Sequence, residues 1–320
     1  MELPPLLRQA VDRTLGGVTL ADLAAAVAGL SQRYREEGRE GPVPIANHRD
    51  ALAYLATRLP ATFAAIRASF AAIASARPHF APRTLLDIGA GPGTALWAAA
   101  DCWSELADAV LVETSPIFRA CGERLTAEAA LPRIAWRTAD VVREAEGTAP
   151  HDLVTIGYVL NELRPEARPL VLTRAWQATA DTLVVIEPGT PAGWQRILDA
   201  RRQLVEAGGH VIAPCPHAQA CPLVAPDWCH FVARVARSRL HRQAKGAEVP
   251  WEDEKFSYIA LSRQPAQGAA SRVIARPRKA SGRVTLKLCR PDGSAGEQLF
   301  SRRDGELFKR AWRTAWGSSL

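Results

Sequence analysis

The sequence predicts an α/β fold built on a doubly wound parallel sheet, and three observations predict it. Short β-branched runs alternate with helical stretches through the middle of the chain, the pattern of strands joined by crossover helices. A glycine-rich loop, GAGPG, stands between one such run and the helix after it, at the edge where open sheets take their ligands. An apolar content of 48% in 320 residues supplies a substantial core.

The first eighty residues are patterned as helices, VTLADLAAAVAGLSQRY and, beyond the Gly- and Pro-rich EGREGPVP, DALAYLATRLPATFAAIRASFAAIA. Apolar residues recur there at helical spacing, and the abundance of alanine predicts close packing. TLLDI, AVLVE, RIAWR, DLVTIGYVL and TLVVIEP follow as strands. WQRILDARRQLVEAGG reads as a helix and FSYIALS as a strand returning to the sheet. SRVIARP, RVTLKLC and EQLFSRR read as short strands of a small unit that ends in the helix GELFKRAWRTAW. The expected division is an N-terminal helical region at 1–80, a sheet domain at 81–263 with a cysteine-rich insertion at 208–255, and a basic β-rich unit at 264–320.

Charge is unevenly placed. The whole chain carries +7, whereas residues 261–320 hold thirteen Lys or Arg against four Asp or Glu, a local +9 that leaves about −2 for the rest. A basic tail on a near-neutral body suits phosphate-backbone binding by counterion release; a solvated surface is the alternative. The start, MELPPLLRQAVDR, has no apolar stretch of signal-peptide length, and no segment approaches eighteen uninterrupted apolar residues. These features predict a cytoplasmic protein of bacterial type with reduced thiols and no membrane partner. Nothing resembles a dimerisation repeat, so a monomer is expected.

In LLDIGAGPGTALWAAA a strand ends at Asp87, runs through Gly89, Ala90, Gly91 and Gly93, and opens a helix. Glycines admit positive φ and close backbone approach, and the helix start offers unpaired N–H groups. Pro92 breaks the G-x-G-x-x-G spacing of dinucleotide folds. The loop instead resembles that of class I S-adenosylmethionine-dependent methyltransferases. That resemblance implies that Glu113, in LVETSP, accepts both ribose hydroxyls and that Asp140, in WRTAD, contacts the adenine amino group. The fourth strand brings Tyr158, Asn161 and Glu162 to the carboxyl edge in IGYVLNEL. The donor-binding set is therefore Asp87, Gly89, Ala90, Gly91, Gly93, Glu113, Asp140 and Tyr158, and the catalytic candidates are Tyr158, Asn161 and Glu162. NELRP stands where base-nitrogen methyltransferases carry Asn or Asp followed by Pro-Pro and an aromatic residue. No cysteine nucleophile lies there either.

PCPHAQACPLVAPDWCHF places Cys215, Cys221 and Cys229 at intervals wider than the two-to-four-residue spacers of zinc knuckles. Wide spacers suit a larger inorganic body, Cys-Pro occurs in cluster-binding runs, and Cys289 in TLKLCRPDG is the best candidate for a fourth thiolate. Cys102 and Cys121 lie on helices and read as packing residues. His217 and His230 read as neighbours of the site rather than ligands. Arg234, Arg237, Arg239, Arg242 and Lys245 are spaced as one helical face, either solvated or facing RNA.

These motifs together, with YLATRLPATFAAI, VVIEPGTPAGW and WEDEKFSYIALS, resemble the methyltransferase-like family associated with the small ribosomal subunit. It includes a yeast mitochondrial small-subunit ribosomal protein, animal mitochondrial assembly factors and bacterial members. The resemblance implies a 4Fe–4S cluster on Cys215, Cys221, Cys229 and Cys289, with structural zinc as the alternative. It also implies S-adenosyl-L-methionine as cofactor, and the small ribosomal subunit and its rRNA as partners. The reading leans to an rRNA methyltransferase; a non-catalytic assembly factor that keeps the fold is the rival.

Overall fold

The computed structural model describes residues 1–36, 45–127, 129, 131–139, 149–265 and 270–320. Four helices lead: α1 (Pro5–Leu15), α2 (Leu20–Glu36), α3 (His48–Thr57) and α4 (Leu59–Ala76). The body then alternates β1 (Thr84–Ile88), α5 (Thr94–Cys102), β2 (Asp108–Val112), α6 (Pro116–Thr126), β3 (Arg133–Arg137), β4 (His151–Gly157), α7 (Arg168–Gln177), β5 (Thr179–Pro188), α8 (Pro191–Glu206) and β6 (His210–Ala213). After the cysteine loop come β7 (Phe231–Ala236), α9 (Arg239–Lys245) and β8 (Trp251–Ser262). A small unit follows, with β9 (Arg272–Val273), β10 (Arg278–Ala280), β11 (Arg283–Cys289), β12 (Ala295–Ser301) and α10 (Gly305–Arg313).

The main sheet runs β3-β2-β1-β4-β5-β8-β6, with β7 also paired to β8. β1 to β5 are parallel and β8 is antiparallel to its neighbours. This is the strand order of class I methyltransferases, in agreement with the fold expected from the glycine loop. The central strands are apolar on both faces because helices cover both. One face packs on α1 to α6, through Leu55, Phe63, Phe70 and Leu96, and the other on α7 and α8, through Val171, Ile197 and Leu204. Burying each such side chain contributes about 2 kcal/mol. The leading helices share the sheet's core. α4 is apolar and long enough to cross a membrane by composition, yet 56% of it is buried in this chain.

Two sequence expectations change. Residues 208–255 carry β6 and β7, both partners of β8, so the segment is woven into the sheet. The cationic run 234–245 is not one helical face, because Arg234 lies on β7 and only Arg239–Lys245 is helical. Its charges are answered by β8: Arg234 pairs with Asp253, and Arg237 and Lys245 with Glu252. Residues 251–255, ahead of the expected strand FSYIALS, extend it at its start.

Helix α8, which carries Arg201 toward the cysteine loop, starts from a tight turn. Thr190 caps it by accepting from Gly193 N–H at 3.0 Å, with Pro191 in the first turn. A Cβ on Gly193 would lie 1.9 Å from the Pro188 carbonyl oxygen, a backbone atom that cannot turn away. Gly193→Ala is therefore expected to cost about 2 kcal/mol of stability or more, read as a lower urea midpoint.

Candidate cofactor edge and cysteine cavity

At the carboxyl edge of β1 and β2, Asp87 is 2% exposed. One of its oxygens accepts from Thr155 Oγ1 on β4 at 2.6 Å, and the other is buried without a partner. Burial pushes this carboxyl up to about 7, opposed by the Thr155 hydrogen bond and assisted by the charge of Glu113. The loop after it turns back on β2, since Gly89 and Ala90 N–H both donate to Val112 O at 2.9 Å. Gly89 has φ +72, and a Cβ there would lie 2.4 Å from Val159; no side chain fits. Glu113 accepts from Gly91 N–H and Ser115 N–H, each at 2.7 Å. It too is raised by burial, against those backbone hydrogen bonds. Its Oε1 also accepts from Thr114 Oγ1 at 3.5 Å, whereas Oε2 keeps a second acceptor position. The structure thus brings Asp87, the glycine loop and Glu113 into one cluster. Asp140 lies outside the described residues.

Tyr158 directly follows β4 with φ +61, the single positive φ of a non-glycine residue among those described. Such a conformation costs free energy and persists only where neighbours impose it. Its N–H donates to Ile186 O at 2.8 Å and its hydroxyl to Glu254 of β8 at 3.1 Å. Glu254 lies 3.6 Å from Arg58, between α3 and α4. Buried Glu187, at the end of β5, accepts from Leu160 N–H at 3.1 Å and from Arg196 Nε at 2.6 Å, which fixes the turn that carries Asn161. Asn161 Oδ1 is buried without a partner, whereas Glu162 is exposed. Tyr54 of α3 roofs this edge, packed on Phe118 at 4.8 Å, with Arg58, Glu162 and Glu113 around its hydroxyl. Tyr54, Arg58, Glu187 and Glu254 escaped sequence reasoning. A charged residue inside an apolar strand was the available signal for Glu187, and nothing local marked the others.

The second site is a cavity in whose wall Cys215, Cys221, Cys229 and Cys289 all stand. All four are free thiols. β11 delivers Cys289 opposite Arg272 of β9 in the strand ladder. Its sulfur is 3.4 Å from His217 Nε2. Burial pushes Cys289 up to about 12 and Cys229 well above the usual thiol range, the neighbouring sulfurs adding to both rises. His217 is lowered by burial and by Arg201. His230 stacks on Trp228 at 5.0 Å, and Trp228 donates to Gly189 O at 3.1 Å. Cys102 and Cys121 sit on α5 and α6, away from the cavity. Among the described residues, no three His, Cys, Asp or Glu side chains are gathered closely enough to hold a single metal ion. Neither zinc nor an iron–sulfur cluster is thereby shown.

A relative in Homo sapiens, the mitochondrial ribosome assembly protein METTL17, is 31% identical over 294 residues, covering 84% of this chain and 62% of that protein. The mitochondrial Rsm22-cox11 tandem protein 2 of Schizosaccharomyces pombe is 22% identical over 298 residues, 73% of this chain and 38% of that protein. The chain thus spans less than two thirds of the length of these relatives. Among solved structures, the Synechocystis PCC 6803 magnesium protoporphyrin IX methyltransferase ChlM has a TM-score of 0.43 at 12% identity, over 73% of this chain and 93% of that one. That likeness is too distant to bear on the site. The cytoplasmic, bacterial-type location expected from the sequence is corrected here, because the family and both relatives are mitochondrial and point to that compartment. Residues 48–320 match the family described as mitochondrial small ribosomal subunit Rsm22, and the chain belongs to it.

Proposed function

We propose that the chain binds S-adenosyl-L-methionine at the Asp87–Glu113 edge, holds a 4Fe–4S cluster on its four cavity cysteines, and acts on the small ribosomal subunit as an rRNA methyltransferase. The observation that carries the donor reading is the pair of buried carboxylates beside the glycine loop, with no cationic side chain among the described residues bonded to either. Two acids kept from water favour a ligand that brings positive charge, and S-adenosylmethionine brings a sulfonium and an ammonium. In this reading Gly89, Ala90, Gly91 and Gly93 let the donor lie against the backbone, and Glu113 takes the ribose hydroxyls. Asp140 contributes as the resemblance implies.

Methyl transfer from a sulfonium is an in-line displacement, so the protein's work is to position the partners and exclude water. Tyr158, fixed by Glu254, and Asn161, held by Glu187, would orient the acceptor. The fit of a cluster rests on Cys289 reaching the same cavity as the three loop cysteines from a separate strand. A single zinc gathers its sulfurs about 2.3 Å from one point, whereas a cubane spreads them over several irons. When bound, the cluster would supply thiolate–iron bonds that join the loop to β11. Residues 264–320 are the proposed RNA-contacting unit. A specific observation favours an assembly role without catalysis: NELRP replaces a known acceptor motif, and the human relative is named an assembly protein.

Two outcomes follow. Affinity for S-adenosylmethionine should rise about tenfold from pH 6 to pH 8, because protonated Asp87 gives up its proton when the cation binds. Calorimetry at both pH values measures this, and Asp87→Asn should flatten the dependence. Small subunits from cells lacking the protein should accept labelled methyl from the purified chain. Absence of label across all assembly intermediates would leave the assembly role alone.

A further inference from the structure

Two arginines stand in the wall of the cysteine cavity, Arg201 from α8 and Arg272 from β9. They are 6% and 9% exposed, and neither has a carboxylate partner among the described residues. Arg201 donates to the carbonyls of His217 at 2.9 Å and Gln219 at 2.5 Å, between the first two loop cysteines. Its Nε is buried without a partner, and burial raises the Cys215 thiol against the smaller, lowering effect of the Arg201 charge. Arg272 donates to Pro214 O at 2.9 Å, one residue before Cys215, and to Gly317 O at 2.8 Å. Carbonyl dipoles satisfy hydrogen bonds but bring no net charge. With all four thiols protonated, the cavity would hold two uncompensated cations away from water, a costly state.

We propose that Arg201 and Arg272 are the countercharges of this cavity, selecting a thiolate-ligated occupant of net negative charge, retaining it and setting the potential at which it is reduced. The inference rests on the metal reading of the four cysteines. Four thiolates around a dicationic core leave two negative charges, which two guanidiniums cancel. A neutral ligand set of two thiolates and two imidazoles on a divalent ion would leave them unopposed. Reduction adds one negative charge inside the same wall, and nearby cations favour that step. Arg272 also spans the cysteine loop and the C-terminal residues, so the occupant's charge and the seating of β9 to α10 are linked through one side chain.

The test compares the full chain with Arg201→Met, Arg201→Lys, Arg272→Met and Arg272→Lys after anaerobic reconstitution with ferrous iron and sulfide. Iron and sulfide content, midpoint potential and the rate of iron loss to a chelator are measured, with circular dichroism as the folding control. Each Met variant should lose iron about tenfold faster and show a lower midpoint potential, while each Lys variant stays near wild type in potential. Where a Met variant fails the folding control, Arg→Gln replaces it, keeping a donor without the charge. Uncharged variants that match wild type overturn the proposal, and so does a Lys variant as impaired as its uncharged counterpart, since the role would then be packing. A wild type that takes up zinc but no iron and sulfide sinks the cluster reading alone. The arginine proposal is then decided by zinc release rates across the same variants, unequal rates supporting it and equal rates overturning it. A wild type that retains neither metal overturns both.

Discussion

Strand β8 runs twelve residues with partners on both sides, and its pairing ties the parallel sheet to the cysteine loop. Phe256 to Ser262 pair with β5 over Thr182 to Pro188. On its other side the strand meets β6 near Ala260 and β7 from Trp251 to Phe256. Glu254 therefore reaches Tyr158 at one edge, Ser257 Oγ donates to Cys229 O at 2.9 Å, and Tyr258 enters the cysteine cavity. Three consecutive features of one strand set the acceptor edge, the third cysteine and the cavity wall. Because side chains alternate along a strand, a slip of one residue would misplace all of them together.

The two sites handle buried charge in opposite ways. At the carboxyl edge, Asp87 and Glu113 are carboxyls without a cationic partner among the described residues, and burial raises both. At the cysteine cavity, Arg201 and Arg272 are cations without an acidic partner among the described residues. By contrast, buried Glu187 is paired with Arg196 at 2.6 Å. An unpaired buried charge costs stability, a cost that the proposed occupants of opposite sign would relieve. The proposed cationic donor and anionic cluster differ accordingly, a distinction that strand order alone could not make.

Much of the fold was legible because apolar period and strand length are local properties. TLLDI is β1 residue for residue, and RIAWR is β3. The parts that escaped are those that tertiary pairing decides. β6 and β7 lie beside a proline-rich loop whose composition reads as irregular, and they become strands because β8 offers them partners. The cationic run 234–245 looked helical by spacing, but Arg234 pairs across the β7–β8 ladder with Asp253 at 2.9 Å. At the sites, the ligand-type residues carried recognisable motifs, whereas the residues that hold them did not. Arg201 had a weak signal, since Ile197, Arg201 and Leu204 share the buried stripe of α8. Arg58, Glu254 and Arg272 had none, because their meaning comes from elements distant in sequence.

Pairing on β8 also relocates the positive field. Asp253 and Glu252 offset two of the three charges of Arg234, Arg237 and Lys245, so these members of the internal cationic run contribute less to long-range attraction than their number suggests. Arg302 and Arg303, in the 3-10 turn after β12, and Arg310 and Arg313, on α10, are exposed, and no described acid forms a salt bridge with them. The field that draws a polyanion therefore sits in the C-terminal unit, where Lys279 lies 5.5 Å over the exposed Trp312 ring. That unit is fastened to the body at the cysteine loop, by Lys287 to Asp227, by Arg272 to Pro214 O, and by Cys289 beside His217. Orientation of the basic surface is thus set at the metal-type cavity rather than at the donor edge. The two sites can fail separately: loss of the donor edge would leave the charged unit in place, while loss of the cavity's order would free it.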